Sequence, residues 1–141
     1  MSSPSTAAAG RSVFYRDDEP VIQSHPLLSG AAVPRFGDTA RWDLNQVVHK
    51  AAHHPPSAIR VLFHDLPGGW NLLARELAMF WLNPHHPAVL TAGIHLRAAP
   101  LSPMTVAQRV AQLRPLARFG AEQQLPADPR DWSDEDFKVY V

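Results

Sequence analysis

The chain contains no cysteine. That excludes a disulfide framework, a thiolate zinc site and a thiol nucleophile. No apolar run approaches the ~20 residues that span a bilayer. Residues 1–10 are rich in serine and alanine, and they lack the basic stretch and apolar core of a secretory leader. These absences lead to the expectation of a cytoplasmic protein without a membrane partner. An excess of one charge is missing too, because 13 basic residues face 13 acidic ones. A strongly basic nucleic-acid module would look different. There is no Gly-x-Ser-x-Gly elbow and no His-Glu-x-x-His spacing, and Pro67-Gly68-Gly69 lacks the lysine and the second spaced glycine of a phosphate loop. No cofactor is implied.

What is present is apolar material and proline. Apolar residues make up 45% of 141, enough for one real core and too many for a disordered chain. The 14 prolines are about twice the usual share and imply short elements with stiff connections. The charges are unevenly placed. Between His25 and Gly120 nine Arg and Lys residues face four acids, whereas from Ala121 onward six acids face two bases. A modest basic middle permits contact with DNA without requiring it. Eleven of the 13 basic residues are arginine, which suits phosphate forks and equally suits a GC-rich codon bias.

Spacing divides the chain into three parts: a tail and extended arm over 1–37, a helical region over 38–98, and a further helical unit over 99–141. The arm carries Pro20, Pro26 and Pro34 between short apolar clusters, so it reads as extended or partly disordered. Asp38 or Thr39 can cap a helix through Trp42, Leu44, Val47, Val48 and Ala51. The β-branched run Ala58–Phe63 suggests a short strand, with a helix toward Leu66 as its rival. Trp70–Leu82 reads as a helix with an inward stripe of Leu73, Leu77, Phe80 and Trp81. Asn71, Arg75 and Glu76 fall outside that stripe. Asn83-Pro84 terminates it. Ala88–Leu96 reads as a short helix or a buried connection.

The stretch Thr105–Val141 is the most organised. Thr105 can cap a helix whose face is Val106, Val110, Leu113, Leu116, Ala117 and Gly120. Pro115 predicts a kink or break near Ala111–Arg114. After a loop with Pro126 and Pro129, Ser133 reads as an N-cap followed by three acids. Trp132 and Phe137 fit a hydrophobic staple across that cap. Phe137, Val139, Tyr140 and Val141 form an apolar end without a C-cap, which leads to the expectation of a longer parent chain. The fold class expected from all this is mainly α, with short helices, proline-rich connections and an incomplete helical bundle at the end.

Two sets of side chains are candidates for chemistry. His53-His54 and His85-His86 are metal suspects. The rings of adjacent residues diverge, so a site would need both loops to converge with help from Asp65 or Glu76. His beside proline at a helix end is ordinary, and no metal is expected. Arg109, Arg114 and Arg118 are candidates for DNA backbone contacts, since a cationic helix face positions a duplex without reading it. A solvated helix face is the plainer alternative.

The run Thr105-Val106, Leu113-Arg114, Leu116-Ala117-Arg118-Phe119, Leu125-Pro126, Pro129, Trp132-Ser133, Asp136-Phe137 and Tyr140 resembles the start of the core-binding domain of tyrosine recombinases, the phage-type integrases, and the actinobacterial ones in particular. In that family a second helix begins at a Trp, Ser or Thr, x, x, Asp element. Trp70–Glu76 and Leu82-Asn83-Pro84 resemble the N-terminal extension of some members. The resemblance implies the beginning of a SAM-like helical bundle that clamps double-stranded DNA, serving DNA integration and recombination. It implies no catalysis here, because the family's tyrosine, arginines and His/Lys residues lie in a separate C-terminal domain, and neither Tyr15 nor Tyr140 has matching context. That missing catalytic domain is then a partner. The alternatives are a stand-alone helical interaction module, docking its last helix on a partner or a second copy, and a truncated gene product without DNA binding.

Overall fold

The computed structural model describes residues 11–93 and 99–140. Helix α1, Gly68–Leu82, is the element on which the others are laid. Trp70, Leu72, Ala74, Arg75, Glu76, Ala78, Met79 and Leu82 are all buried along it. That set wraps around the helix, so α1 is covered on more than one side. The inward stripe expected from periodicity is therefore corrected. Leu73, Leu77, Phe80 and Trp81 are only half-buried, while Arg75 is 3% exposed and Glu76 is buried too. The cause is the N-terminal arm. Arg75 donates to the Phe36 carbonyl at 3.0 Å and to Asn71 Oδ1 at 2.8 Å, and its guanidinium lies 5.0 Å over the Phe36 ring. Glu76 accepts from Ser12 Oγ at 2.7 Å. Polar partners this distant in sequence leave no mark on the periodicity of one helix.

The arm, residues 11–37, has no helix or paired strand, only an isolated bridge between Pro20 and Arg35. Val21 N–H donates to the Pro34 carbonyl at 3.0 Å and Phe36 N–H to the Glu19 carbonyl at 2.8 Å. The arm places Tyr15, Val21, Ile22 and Phe36 in the core. Asn83, at the C-terminal end of α1, clasps it. The amide donates to the Val21 carbonyl at 2.8 Å, and its oxygen accepts from Gln23 N–H at 2.9 Å. Residues 1–10, read above as tail, lie outside the described residues.

A helix over 38–51 is not what forms. Strand β1, Arg41–Asp43, pairs antiparallel with β2, Arg60–Leu62, with Trp42 opposite Val61. Trp42 is fully buried beside exposed Arg41, which is a strand's alternation. The Asp43 carboxylate accepts from Asn45 N–H at 3.0 Å, an Asx turn that diverts the backbone from helix. The strand expected within 58–63 thus finds its partner in the stretch that spacing assigned to a helix. A 3-10 turn, Pro56–Ile59, leads into it. The fold is mixed rather than plainly α, with helices and a small two-stranded sheet among the described residues.

Helix α2, Pro87–Thr91, is capped by His86, whose Nδ1 accepts from Ala88 N–H at 3.0 Å. The part of the expected segment over 94–96 lies outside the described residues. Helix α3, Pro103–Ala111, starts earlier than expected. Ser102, not Thr105, is its N-cap and accepts from Thr105 N–H at 3.2 Å, with Pro103 at the first helical position. The chain then breaks at Gln112, and α4, Leu113–Glu122, follows. Pro115 in its first turn needs no amide partner there.

A 3-10 turn, Pro129–Asp131, leads to α5, Asp134–Tyr140. Ser133 and Asp136 cap each other: Asp136 N–H donates to Ser133 Oγ at 3.3 Å and Ser133 N–H to Asp136 Oδ2 at 2.9 Å. Trp132 packs edge-on to Trp70 of α1 at 5.3 Å, lies 4.9 Å from the Phe137 ring and donates its indole N–H to the Pro126 carbonyl at 2.8 Å. One hydrophobic cluster joins Phe36, Trp42 and Phe63 to Val106, Val110, Ala117 and Trp132 across the proline-rich linker.

Two substitutions test this packing. A Cβ at Gly120 lies 2.3 Å from Trp132 Cζ2, so Gly120→Ala displaces the indole and destabilises by about 1–3 kcal/mol, read as a lower urea midpoint. Asn83→Ala strands the buried Val21 carbonyl, at about 1–3 kcal/mol for that group left unpaired, and leaves the exposed Gln23 amide to water. Hydrogen exchange around 21–23 accelerates more than in α1 if the clasp holds the arm locally.

Candidate functional site

Arg114 is the second residue of α4 and lies against the far end of β2. Its Nε donates to Asp65 Oδ2 at 2.6 Å and its Nη2 to the Leu62 carbonyl at 2.7 Å. The side chains of the pair are 22% and 46% exposed. The Arg114 hydrogen bond, working against partial burial and aided by the Arg114 and His64 charges, holds the Asp65 carboxyl below its usual range. Arg114 therefore ties α4 to the sheet and is only partly available to a ligand.

Two clefts meet at this side chain. One, of about 470 Å³, lies between α3 and the Pro56–Leu62 segment, with His54, Ser57, Arg60, Gln108 and Arg114 as its polar lining. The other, of about 200 Å³, lies between α4 and the Asp65–Pro67 turn and is lined by Asp65, Arg114 and Arg118. Arg60 pairs with Asp43 at 3.0 Å. Arg118 is exposed and makes no ion pair or hydrogen bond among the described residues. Three guanidiniums against the carboxylates of Asp43 and Asp65 leave one net positive charge on this face. Such a face can hold an anion by Coulomb attraction and by guanidinium hydrogen bonds.

Arg114 and Arg118 are thus brought together, as their four-residue spacing implies. Arg109 is elsewhere. Its guanidinium lies 5.4 Å over the Trp81 ring, in a cleft of about 220 Å³ with Phe80, Pro84 and Leu101. The break at Gln112 puts Arg109 on a different helix from the other two. Sequence reasoning missed Arg60, Ser57 and Gln108 as neighbours of Arg114. Arg60 was visible only as one member of the basic middle, and no local spacing couples it to α4.

The histidine pairs part ways. The His53 and His54 rings lie 4.1 Å apart, while His85 is exposed. His86 is committed to structure, since one ring nitrogen caps α2 and Nε2 meets Glu19 Oε1 at 2.6 Å. Burial pushes the Glu19 carboxyl up, but the His86 bond, the Arg16 amide and the His86 charge together leave it below its ordinary value. Among the described residues no three His, Asp or Glu side chains group as metal ligands. No helix among them is long and apolar enough to cross a membrane.

Replacing Arg114 by Ala returns the Asp65 carboxyl toward its ordinary pKa, measured by carboxyl NMR titration. A carboxylate whose folded pKa is depressed stabilises the fold above its unfolded pKa and loses that contribution as pH falls. The wild type therefore loses more stability than Arg114→Ala on acidification through the carboxylate range. The difference is below about 1 kcal/mol, because the pair is partly exposed. Equal acid sensitivity in both proteins contradicts the assignment. No protein-family model, curated protein or solved structure matches this chain.

Proposed function

We propose that this chain is a non-catalytic DNA-contacting portion of a tyrosine recombinase, and that it touches duplex DNA through backbone phosphates on the Arg60–Arg114–Arg118 face. The observation that carries the reading is Arg118: a guanidinium on α4 with no carboxylate partner among the described residues, beside a cleft that two further arginines line. The resemblance over Thr105–Tyr140 supports it, as does the helix–loop–helix arrangement of α4, Trp132 and α5. Arg60 and Arg114 are half-neutralised by Asp43 and Asp65. Contact is therefore weak and indifferent to sequence, and it positions a duplex that other parts of a recombinase read and cut. Arg109, held on Trp81, is a separate outlying cation.

A second reading, a protein-interaction module, has one observation in its favour. Phe137 on α5 is 38% exposed behind the acidic turn Asp134-Glu135-Asp136. A concentration-dependent oligomer in sedimentation, with no DNA affinity, would favour it.

Anisotropy of a labelled duplex, followed from about 20 to about 200 mM KCl, separates the two. Each phosphate contact contributes about 0.9 to the slope of log affinity against log salt. The expected slope is shallow, between about one and three, and Arg118→Ala lowers it by about one. Arg109→Ala changes it less. Undetectable binding at the lowest salt, or an unchanged slope in Arg118→Ala, refutes the DNA reading.

A further inference from the structure

The half-buried stripe Leu73, Leu77 and Phe80 walls a slot of about 330 Å³ between α1, α2 and the arm. Phe14 and Tyr15 form the side given by the arm, and Val89 the side given by α2. The stripe recurs at four and three residues, so the three side chains line the slot lengthwise. Glu76 is its only carboxylate among the described residues, and its side chain is 9% exposed. Oε2 is satisfied by Ser12 Oγ at 2.7 Å. Oε1 has no hydrogen-bond donor among the described residues. Its nearest cation is Arg130 Nη1 at 3.6 Å, beyond hydrogen-bond range. Arg130 is 43% exposed and is shared with Asp128, to which its Nε donates at 3.2 Å.

The slot is therefore an apolar channel that ends at the Glu76 carboxylate, whose Oε1 has no hydrogen-bond donor among the described residues. Burial, then the charges of Glu76 and Glu19, push the Tyr15 hydroxyl up to about 12. At the mouth of the slot Glu76 faces the exposed Arg130 guanidinium, which is divided between Glu76 and Asp128; Arg75, whose charge also acts on Glu76, is held by Asn71 and the Phe36 carbonyl, and Glu19 is held by His86. An anionic head group would meet Glu76 directly. A neutral hydroxyl would donate to Oε1, and a charged donor does so more strongly. The slot's volume falls within the range of small-ligand pockets, which are apolar with few polar groups.

We infer that this slot binds a small molecule with an apolar body and a primary ammonium head, the ammonium donating to Glu76 Oε1 in the place Arg130 approaches. Leu73, Leu77 and Phe80 hold the apolar body, and Phe14 folds over it. This inference does not depend on DNA contact and involves none of the arginines of that face.

The test is an amide NMR titration of the full chain with three probes at equal sub-micellar concentration: n-octylammonium, octanoate and 1-octanol. Octylammonium is expected to shift amides of Leu73, Leu77, Phe80 and Val89, with octanoate at least about tenfold weaker and octanol between them. Glu76→Gln keeps an acceptor for Ser12 and weakens the ammonium about tenfold, leaving octanol unchanged. Arg130→Ala removes the competing cation from outside the core and tightens the ammonium. Leu77→Trp fills the slot and abolishes all three. Octanoate binding as well as octylammonium overturns the inference, as does looser ammonium binding in Arg130→Ala or undiminished binding in Leu77→Trp. The last two variants decide the matter if Glu76→Gln fails to fold.

Discussion

A guanidinium buried in the protein interior governs how the rest is arranged. Arg75 sits inside α1's packing surface, bonded to an amide oxygen and a main-chain carbonyl and stacked on Phe36. Burial pulls its pKa down, and the charges of Asp17 and Glu76 oppose that pull. A cation taken out of water costs several kcal/mol unless its protons are satisfied. Phe36 supplies both the carbonyl and the aromatic face, so the arm has to lie where it does before α1 can bury this side. Glu76 repeats the logic one residue on, through Ser12. The arm is consequently part of the core and not an accessory to it, although it contains no helix or paired strand.

With the arm on one flank of α1, α3 and α4 take another, and the sheet packs against α3. Trp42 and Val61 face each other across the two strands, and Val106 and Val110 of α3 join the same cluster. Arg114 then closes the seam by binding the Leu62 carbonyl and Asp65. Trp132 does the corresponding work at the other end, filling the space that Gly120 leaves open and touching Trp70 and Phe137. A short helix such as α5 is marginal alone. It is held by its staple to Trp132 and by its reciprocal cap.

The two surfaces left over differ in character. One carries Arg60, Arg114 and Arg118 from separate segments and has one unopposed positive charge. The other is the apolar slot ending at Glu76. Their chemistries differ, one cationic and one apolar with a carboxylate end. α1 contributes to the second through the residues its own periodicity marks as core.

Residues whose meaning is local were mostly readable in the chain, although Ser102 rather than Thr105 caps α3. Asn83-Pro84 ends α1, Pro115 breaks the long helix, and Ser133 with Asp136 caps the last one, because caps, prolines and staples act within four residues of themselves. The pairing of Arg114 with Arg118 on one face followed from helical spacing in the same way. The stretch 38–51 was not readable, since Trp42 is strand only because Val61 lies opposite it. The identity of the buried face of α1 was not readable either, because apolar periodicity ranks Leu73 and Leu77 above Arg75 and Glu76. Desolvating charged groups becomes tolerable only when partners from the arm arrive. The gathering of Arg60 with Arg114 depended likewise on a strand docking against a distant helix. Local stereochemistry is written residue by residue, whereas burial of a charge and convergence of a site are properties of which segments meet, and only the tertiary structure decided that.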